Sequence, residues 1–242
     1  MATTDYPRAS LAPAALGSRS IPMVTPIASA FSLVAAGVLL VAYPALRPFS
    51  SETGLEGARA FASTNWIVAH SLAMAGFILL GLGLLGVCER LRGTAGMRLA
   101  VWGMVLSWIG IGLTLPYYGA EVFGLHAVGQ AVVDRGNPDL MSIVDNIRWE
   151  VGIFWILAGL SALGIGVILF AIGIWRSGRL TRWSGIVLAV AFALYIPQFA
   201  AGQPLRVAHG VLILIGTVLL AWAIRRRDGD RPAASLNAES GV

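Results

Sequence analysis

Six stretches of this chain are too apolar to leave in water and about the length a bilayer demands. A helix rising 1.5 Å per residue needs about 20 apolar residues to cross a hydrocarbon core about 30 Å thick. The runs are Met23–Tyr43, Asn65–Cys88, Leu99–Tyr118, Val151–Trp175, Trp183–Phe199 and Val207–Ile224. Composition agrees: 57% of the 242 residues are hydrophobic and only 12% charged, where a soluble domain carries about a quarter charged residues. The expected fold is all-α, a bundle of six transmembrane helices in a single domain over 23–224. Disordered cytoplasmic tails are expected at 1–22 and 225–242. The first run is too long for a signal peptide and lacks a clear small-x-small cleavage site, so it reads as an uncleaved helix.

The net charge of +5 and pI of about 10.1 would suggest nucleic acid in a soluble protein. Here the basic residues separate apolar runs, so they read as topology signals and no nucleic-acid partner is expected. All 17 are Arg and none is Lys, a usage that fits the coding bias of a GC-rich bacterium. With the N-terminus cytoplasmic, the inside segments hold Arg8, Arg19, Arg90, Arg92, Arg98, Arg176, Arg179, Arg182, Arg225, Arg226, Arg227 and Arg231. Only Arg47, Arg59, Arg135, Arg148 and Arg206 fall outside. The expectation is a multi-pass protein of the bacterial plasma membrane with both termini in the cytoplasm.

The outer connections are the longer ones. Residues 119–148 exceed a tight turn, and "AEVFGLHAVGQAVV" has the apolar content of a helix that stops at "DRGNPD". There Gly136 suits a helix end, Asn137 a cap and Pro138 a first turn. A small helical cap on the outer face follows. Glycines recur in the second and fourth runs (Gly76, Gly81, Gly83, Gly86; Gly152, Gly159, Gly164, Gly166), which fits close helix packing.

Two of the three histidines share a context: "VAHS" at 68–71 and "VAHG" at 207–210. Each opens a span running from outside to inside. With span centres near Phe77 and Ile215, His70 and His209 lie roughly 9–10 Å from the midplane, inside a half-thickness of about 15 Å. Each follows a Tyr-and-Pro segment, "AYPA" at 42–45 and "LYIPQ" at 194–198, so spans one–two and five–six look like weak copies of one hairpin. A histidine in hydrocarbon is costly and faces the bundle interior with a partner.

Three readings compete for this pair. Each ring pins helices through a hydrogen bond; the two are axial ligands of a non-covalent haem b held in the bundle; or they serve a proton relay or metal site with carboxylates. Tyr195 and Gln198 lie at the same level as further cofactor-binding candidates, and Glu121 and Glu150 end and open the neighbouring spans at the mouth of the same outer-leaflet pocket. His126 is expected to be solvated. The functions that follow are an electron-transfer protein exchanging electrons with a quinone, or an intramembrane enzyme acting on a lipid or isoprenoid. The enzyme would use His70 or His209 as base and Glu121 or Glu150 as acid. A structural or accessory role is the third alternative. Lone Cys88 excludes an internal disulfide, and there is no Gly-rich phosphate loop, HExxH or GxSxG.

Overall fold

The computed structural model describes residues 24–226, and all regular structure among them is helical. The expected tail over 1–22 lies outside the described residues, as does the tail over 225–242 after its first two. Thr25 starts the first described helix, α1 (Pro26–Leu46), by accepting from the Ala28 N–H ahead of a proline at the first position. A short helix α2 (Gly54–Ala62) follows. Ser63 then caps α3 (Thr64–Leu91) through the Trp66 N–H. Side-chain capping of the orphan N–H groups fixes both starts.

From α4 (Met97–Gly119) the chain continues through one π-helical turn, Ala120–Gly124, into α5 (Leu125–Arg135). Together they form one helix of 39 residues, about 58 Å at 1.5 Å per residue. That is nearly twice the hydrocarbon thickness, so its far half stands clear of the bundle. Gly136, in the left-handed conformation at φ 62°, ends it. Asn137 caps the next turn by accepting from the Asp139 N–H, and Pro138 occupies its first position, as the sequence predicts. The return passes through α6 (Ser142–Asp145) and a second π-helical turn, Asn146–Gly152, into α7 (Ile153–Ser177).

The fifth expected span is broken. It begins as a 3₁₀ turn at Arg182–Gly185, becomes α8 (Ile186–Ala193), and ends in a second 3₁₀ turn at Pro197–Ala200. Pro197 has no N–H to give the Ala193 carbonyl, although Ile196 before it keeps helical dihedrals. The last helix, α9 (Gln203–Arg225), runs back. Five helices among the described residues are therefore long and apolar enough to cross a membrane, and the remaining expected span, the fifth, is represented by a shorter apolar helix, Arg182–Ala193.

Small residues set the packing. Gly76, Gly83 and Gly86 of α3 lie against Leu40, Leu33 and Ser29 of α1, while Gly37 of α1 lies against Leu214 and Thr217 of α9. Between α4 and α7 the glycines recur every seven residues on both helices. Gly96 faces Gly173, Gly103 faces Gly166, and Gly110 faces Gly159. Antiparallel backbones meet along this seam, with side chains absent where they would collide.

All five long helices end together at one face. There α2, α5 and α6 build a cap with its own small core of Ala58, Phe61, Trp66, Leu125, Val132, Met141 and Val144. His126 is not solvated as expected: its Nδ1 is 2.9 Å from the Phe61 carbonyl, tying α5 to α2. The described N- and C-terminal residues both lie at the opposite, uncapped face, where Arg90 bonds the Ile224 carbonyl.

Candidate functional site

Where the bundle meets the cap, Arg47, Glu52, His70, Glu121 and Arg148 converge, with Arg206 at the edge, on one cavity of about 220 Å³. Arg47 comes from the residue after α1, Glu52 from the α1–α2 turn, His70 from the first turns of α3, and Glu121 and Arg148 from the two π-helical turns. Arg148 donates Nε and Nη2 to the two Glu121 oxygens, both at 2.7 Å, and Nη1 to Glu52 at 2.6 Å. Arg47 closes the chain by donating Nη2 to the other Glu52 oxygen. Bidentate guanidinium–carboxylate pairing is the strong form of this bond, and these charges are mostly withdrawn from water: Glu121 is 4% exposed. Burial alone would raise the Glu52 carboxyl, but Arg47 and Arg148 outweigh it and hold Glu52 below its ordinary value.

The two π-helical turns explain how Glu121 and Arg148 meet. Each inserts a residue where a long helix leaves the bundle for the cap, turning the next side chain inward; such bulges concentrate at functional sites. The Glu121 carbonyl accepts from Trp66 Nε1 at 2.7 Å. The Trp66 ring in turn lies under the Arg47 guanidinium, 4.7 Å from its centroid. Glu52 has a backbone φ of 57°, the one positive value at a non-glycine among the described residues. Strain of this kind persists where surrounding contacts over-determine it, and two arginines hold this carboxylate.

His70 is buried at the cavity wall. Its Nδ1 lies 2.8 Å from the Trp66 carbonyl, one turn back on the same helix. A carbonyl only accepts, so Nδ1 carries the hydrogen and Nε2 is the basic nitrogen. Nε2 points to Glu121 at 3.8 Å, beyond a hydrogen bond and within reach of a counter-charge. Tyr43, Tyr117, Tyr118, Ile153, Ile156, Leu157 and Phe199 complete the wall with Arg206. The result is a largely apolar chamber with a few converging polar groups, the usual form of a ligand site.

The structure brings His70 and Glu121 together and separates the other expected residues from them. His209 is half-buried, with Nε2 2.7 Å from the Ala191 carbonyl of α8, and lines a second small cavity with Tyr195 and Gln198. Between the two histidines stands an aromatic wall. Tyr118 and Tyr195 meet there hydroxyl to hydroxyl at 3.3 Å, with Phe77 packed on both rings. Glu150 is exposed and lines a groove on the outer flank with Trp155 and Asn146. The cavities adjoin at Tyr43, Arg47, Phe199 and Arg206. Among the described residues, no three His, Cys, Asp or Glu side chains cluster as a metal site would need.

Sequence reasoning did not name Arg47, Glu52, Arg148 or Arg206 as site residues: it read the three arginines as part of the sparse outer-side charge and gave Glu52 no role. The usable signal was topological. Arg47, Arg148 and Arg206 are three of the five arginines on the side where arginine is scarce, each close to the end of an apolar run. Comparison with protein-family models, with curated proteins and with solved structures finds no significant match to this chain.

Proposed function

We propose that this is a multi-pass protein of the bacterial plasma membrane that admits a lipid- or isoprenoid-class amphiphile to the cavity beneath its cap. There His70 exchanges a proton with the bound polar head. The observation that carries this reading is the His70 geometry: Nδ1–H spent on Trp66, and Nε2 left basic 3.8 Å from the Glu121 carboxylate that lines the same cavity. When Nε2 takes a proton, Glu121 supplies the counter-charge. Both Glu121 oxygens already accept from Arg148, so its role is to stabilise imidazolium rather than to donate. Glu150, exposed on the flank, has no part in this step. The apolar wall of Ile153, Ile156 and Leu157 suits a hydrocarbon tail entering beside α7.

Orientation is part of the proposal. The uncapped end carries Arg90, Arg92, Arg98, Arg176, Arg179, Arg182, Arg225 and Arg226. At the capped end, Arg47, Arg148 and Arg206 are absorbed by the site. The positive-inside rule therefore puts the cap outside and both termini in the cytoplasm, and the all-arginine usage supports a bacterial source.

A haem b between His70 and His209 is the second reading. In its favour, His70 presents a free Nε2 behind a carbonyl-bonded Nδ1, the usual support of a ligating imidazole. A haem, or a metal held by the same two residues, would have to take Nδ1 of His209, since Nε2 is spent on the Ala191 carbonyl, and would require the Tyr118–Tyr195 wall to part. Electron exchange with a quinone belongs to this reading alone.

One preparation tests both. Protein purified in dodecyl maltoside should be colourless, and its organic extract should contain an amphiphile detectable by mass spectrometry. Leu157→Trp, which fills the cavity from its half-open wall, should lose that molecule. An empty wild-type extract, or the same amphiphile in Leu157→Trp, overturns the proposal. A Soret band that disappears in both His70→Ala and His209→Ala establishes the haem instead.

A further inference from the structure

Arg148 is saturated by carboxylates through three of its nitrogens. Arg47 is not. Its side chain is 9% exposed, one nitrogen pairs with Glu52, and Nε and Nη1 are buried without a hydrogen-bond partner. A buried, unsatisfied charged donor is expensive and calls for an explanation. The Trp66 ring beneath it touches the face of the guanidinium and satisfies neither N–H. Arg47 lines both cavities, and so does Arg206. Among the described residues Arg206 donates to main-chain carbonyls only, Ala201 at 2.8 Å and Phe199 at 2.5 Å, and has no carboxylate within ion-pair distance. The charged groups facing the chamber are Arg47, Arg148 and Arg206 against Glu52 and Glu121. Leaving His70 aside, one positive charge is unmatched.

We propose that Arg47 and Arg206 form an oxyanion subsite that takes the phosphate or carboxylate head group of the amphiphile. This rests on the reading that the cavity binds an amphiphile, and it names the head group that reading leaves open. Arg47 offers Nε and Nη1 and Arg206 its Nη1, so two guanidinium groups together can give separate charged donors to the oxygens of one oxyanion. A head group held there lies in the cavity that His70 lines, with its tail along Ile153, Ile156 and Leu157.

The test is calorimetric titration of the full-length protein in dodecyl maltoside with dihexanoyl phosphatidic acid, octanoate, inorganic phosphate and neutral dihexanoylglycerol. Phosphatidic acid or octanoate should bind at least tenfold more tightly than dihexanoylglycerol. Arg206→Gln should weaken that binding at least tenfold, as should Arg47→Gln. Arg47→Gln also breaks the Glu52 pair and risks misfolding, so Arg206→Gln, which pairs with no carboxylate, carries the test if Arg47→Gln does not fold. Binding of the lipid anion with inorganic phosphate inert identifies a lipid source; equal binding of inorganic phosphate supports the subsite and assigns it to a free anion. Equal affinity for all four probes, or anion affinity unchanged in folded Arg206→Gln, overturns the inference. Proton exchange at His70 is read separately, from the dependence of the binding heat on buffer ionisation enthalpy. It can be absent while the arginine dependence persists, so the two readings fail independently.

Discussion

At the scale of single residues, the site is a chain of four charges with Arg148 at its hub. Removing one partner of a buried pair leaves the other charged and unpaired, which costs about 3–5 kcal/mol. Arg148→Ala strands Glu121 and leaves Glu52 with Arg47 alone, so it should lower stability in detergent by about that range. Arg148→Lys keeps the charge, loses the two-oxygen fork on Glu121 and should fall between Ala and wild type. An unfolding midpoint for Arg148→Ala within a degree of wild type would show that the network does not hold the cap. Glu52 gives the same network a pH signature. Its carboxyl is held below its ordinary value in the folded protein, while an unfolded glutamate titrates at about 4.3. Its contribution is therefore full above that pH and disappears only as pH falls through the lower folded value. Wild type and Glu52→Gln should differ in unfolding midpoint at pH 7 and converge on acidification below about 4; a constant difference across that range would contradict the assignment. His70 was legible in the sequence because a histidine in hydrocarbon is too costly to be incidental. Arg47 and Glu52 were not, because a charged residue just past a span is ordinarily explained by water. Only the fold shows that α2 roofs them over.

At the scale of elements, the seam between α4 and α7 shows what periodicity encodes and what it hides. Recurrent glycines announce close packing, and the structure uses them so. Their partners depend on the antiparallel register, which pairs Gly110 with Gly159 and brings a Cβ at position 110 to 2.4 Å from the Leu163 nitrogen. Backbone cannot retreat from such a contact without parting the helices. Gly110→Leu should cost more than the 1–3 kcal/mol typical of overpacking, whereas Gly112, with open space around it, should accept Leu with little change. Equal unfolding midpoints for the two variants would refute the register. The broken fifth apolar run was legible in principle, since Pro197 interrupts it two residues before its end. An apolar count over 183–199 outweighed that single backbone effect. The π-helical turns carry no comparable sequence signal. Ala120–Gly124 and Asn146–Gly152 contain good helix formers in a helical pattern, and the extra residue is visible only in the hydrogen bonds. That is why Glu121 was expected at the mouth of the pocket and Glu150 beside it. The bulges instead bury Glu121 and leave Glu150 outside.

At the scale of the whole molecule, hydrophobicity and arginine placement carry the architecture, and the cap gives it a direction. Helices of 39 and 40 residues exceed any bilayer span, so one end of the bundle must project into solvent, and the site lies where they emerge. Which side that is follows from charge. Eight arginines at the uncapped end sit on exposed loops and helix ends, while three of the five at the capped end are spent on carboxylates, main-chain carbonyls and the cavity. Segments rich in free arginine resist translocation, so the cap is expected on the outer surface. Cysteine scanning decides this, and buried Cys88 can first be replaced by Ala. In that background Asp134→Cys at the tip of α5 and Ala95→Cys between α3 and α4 are both exposed, so accessibility differs only by side. In intact cells a membrane-impermeant maleimide should label position 134 and leave position 95 unmodified until the membrane is permeabilised. The reverse pattern would turn the molecule over. The cavity would then open to the inner leaflet, and its amphiphile would be drawn from the cytoplasmic side.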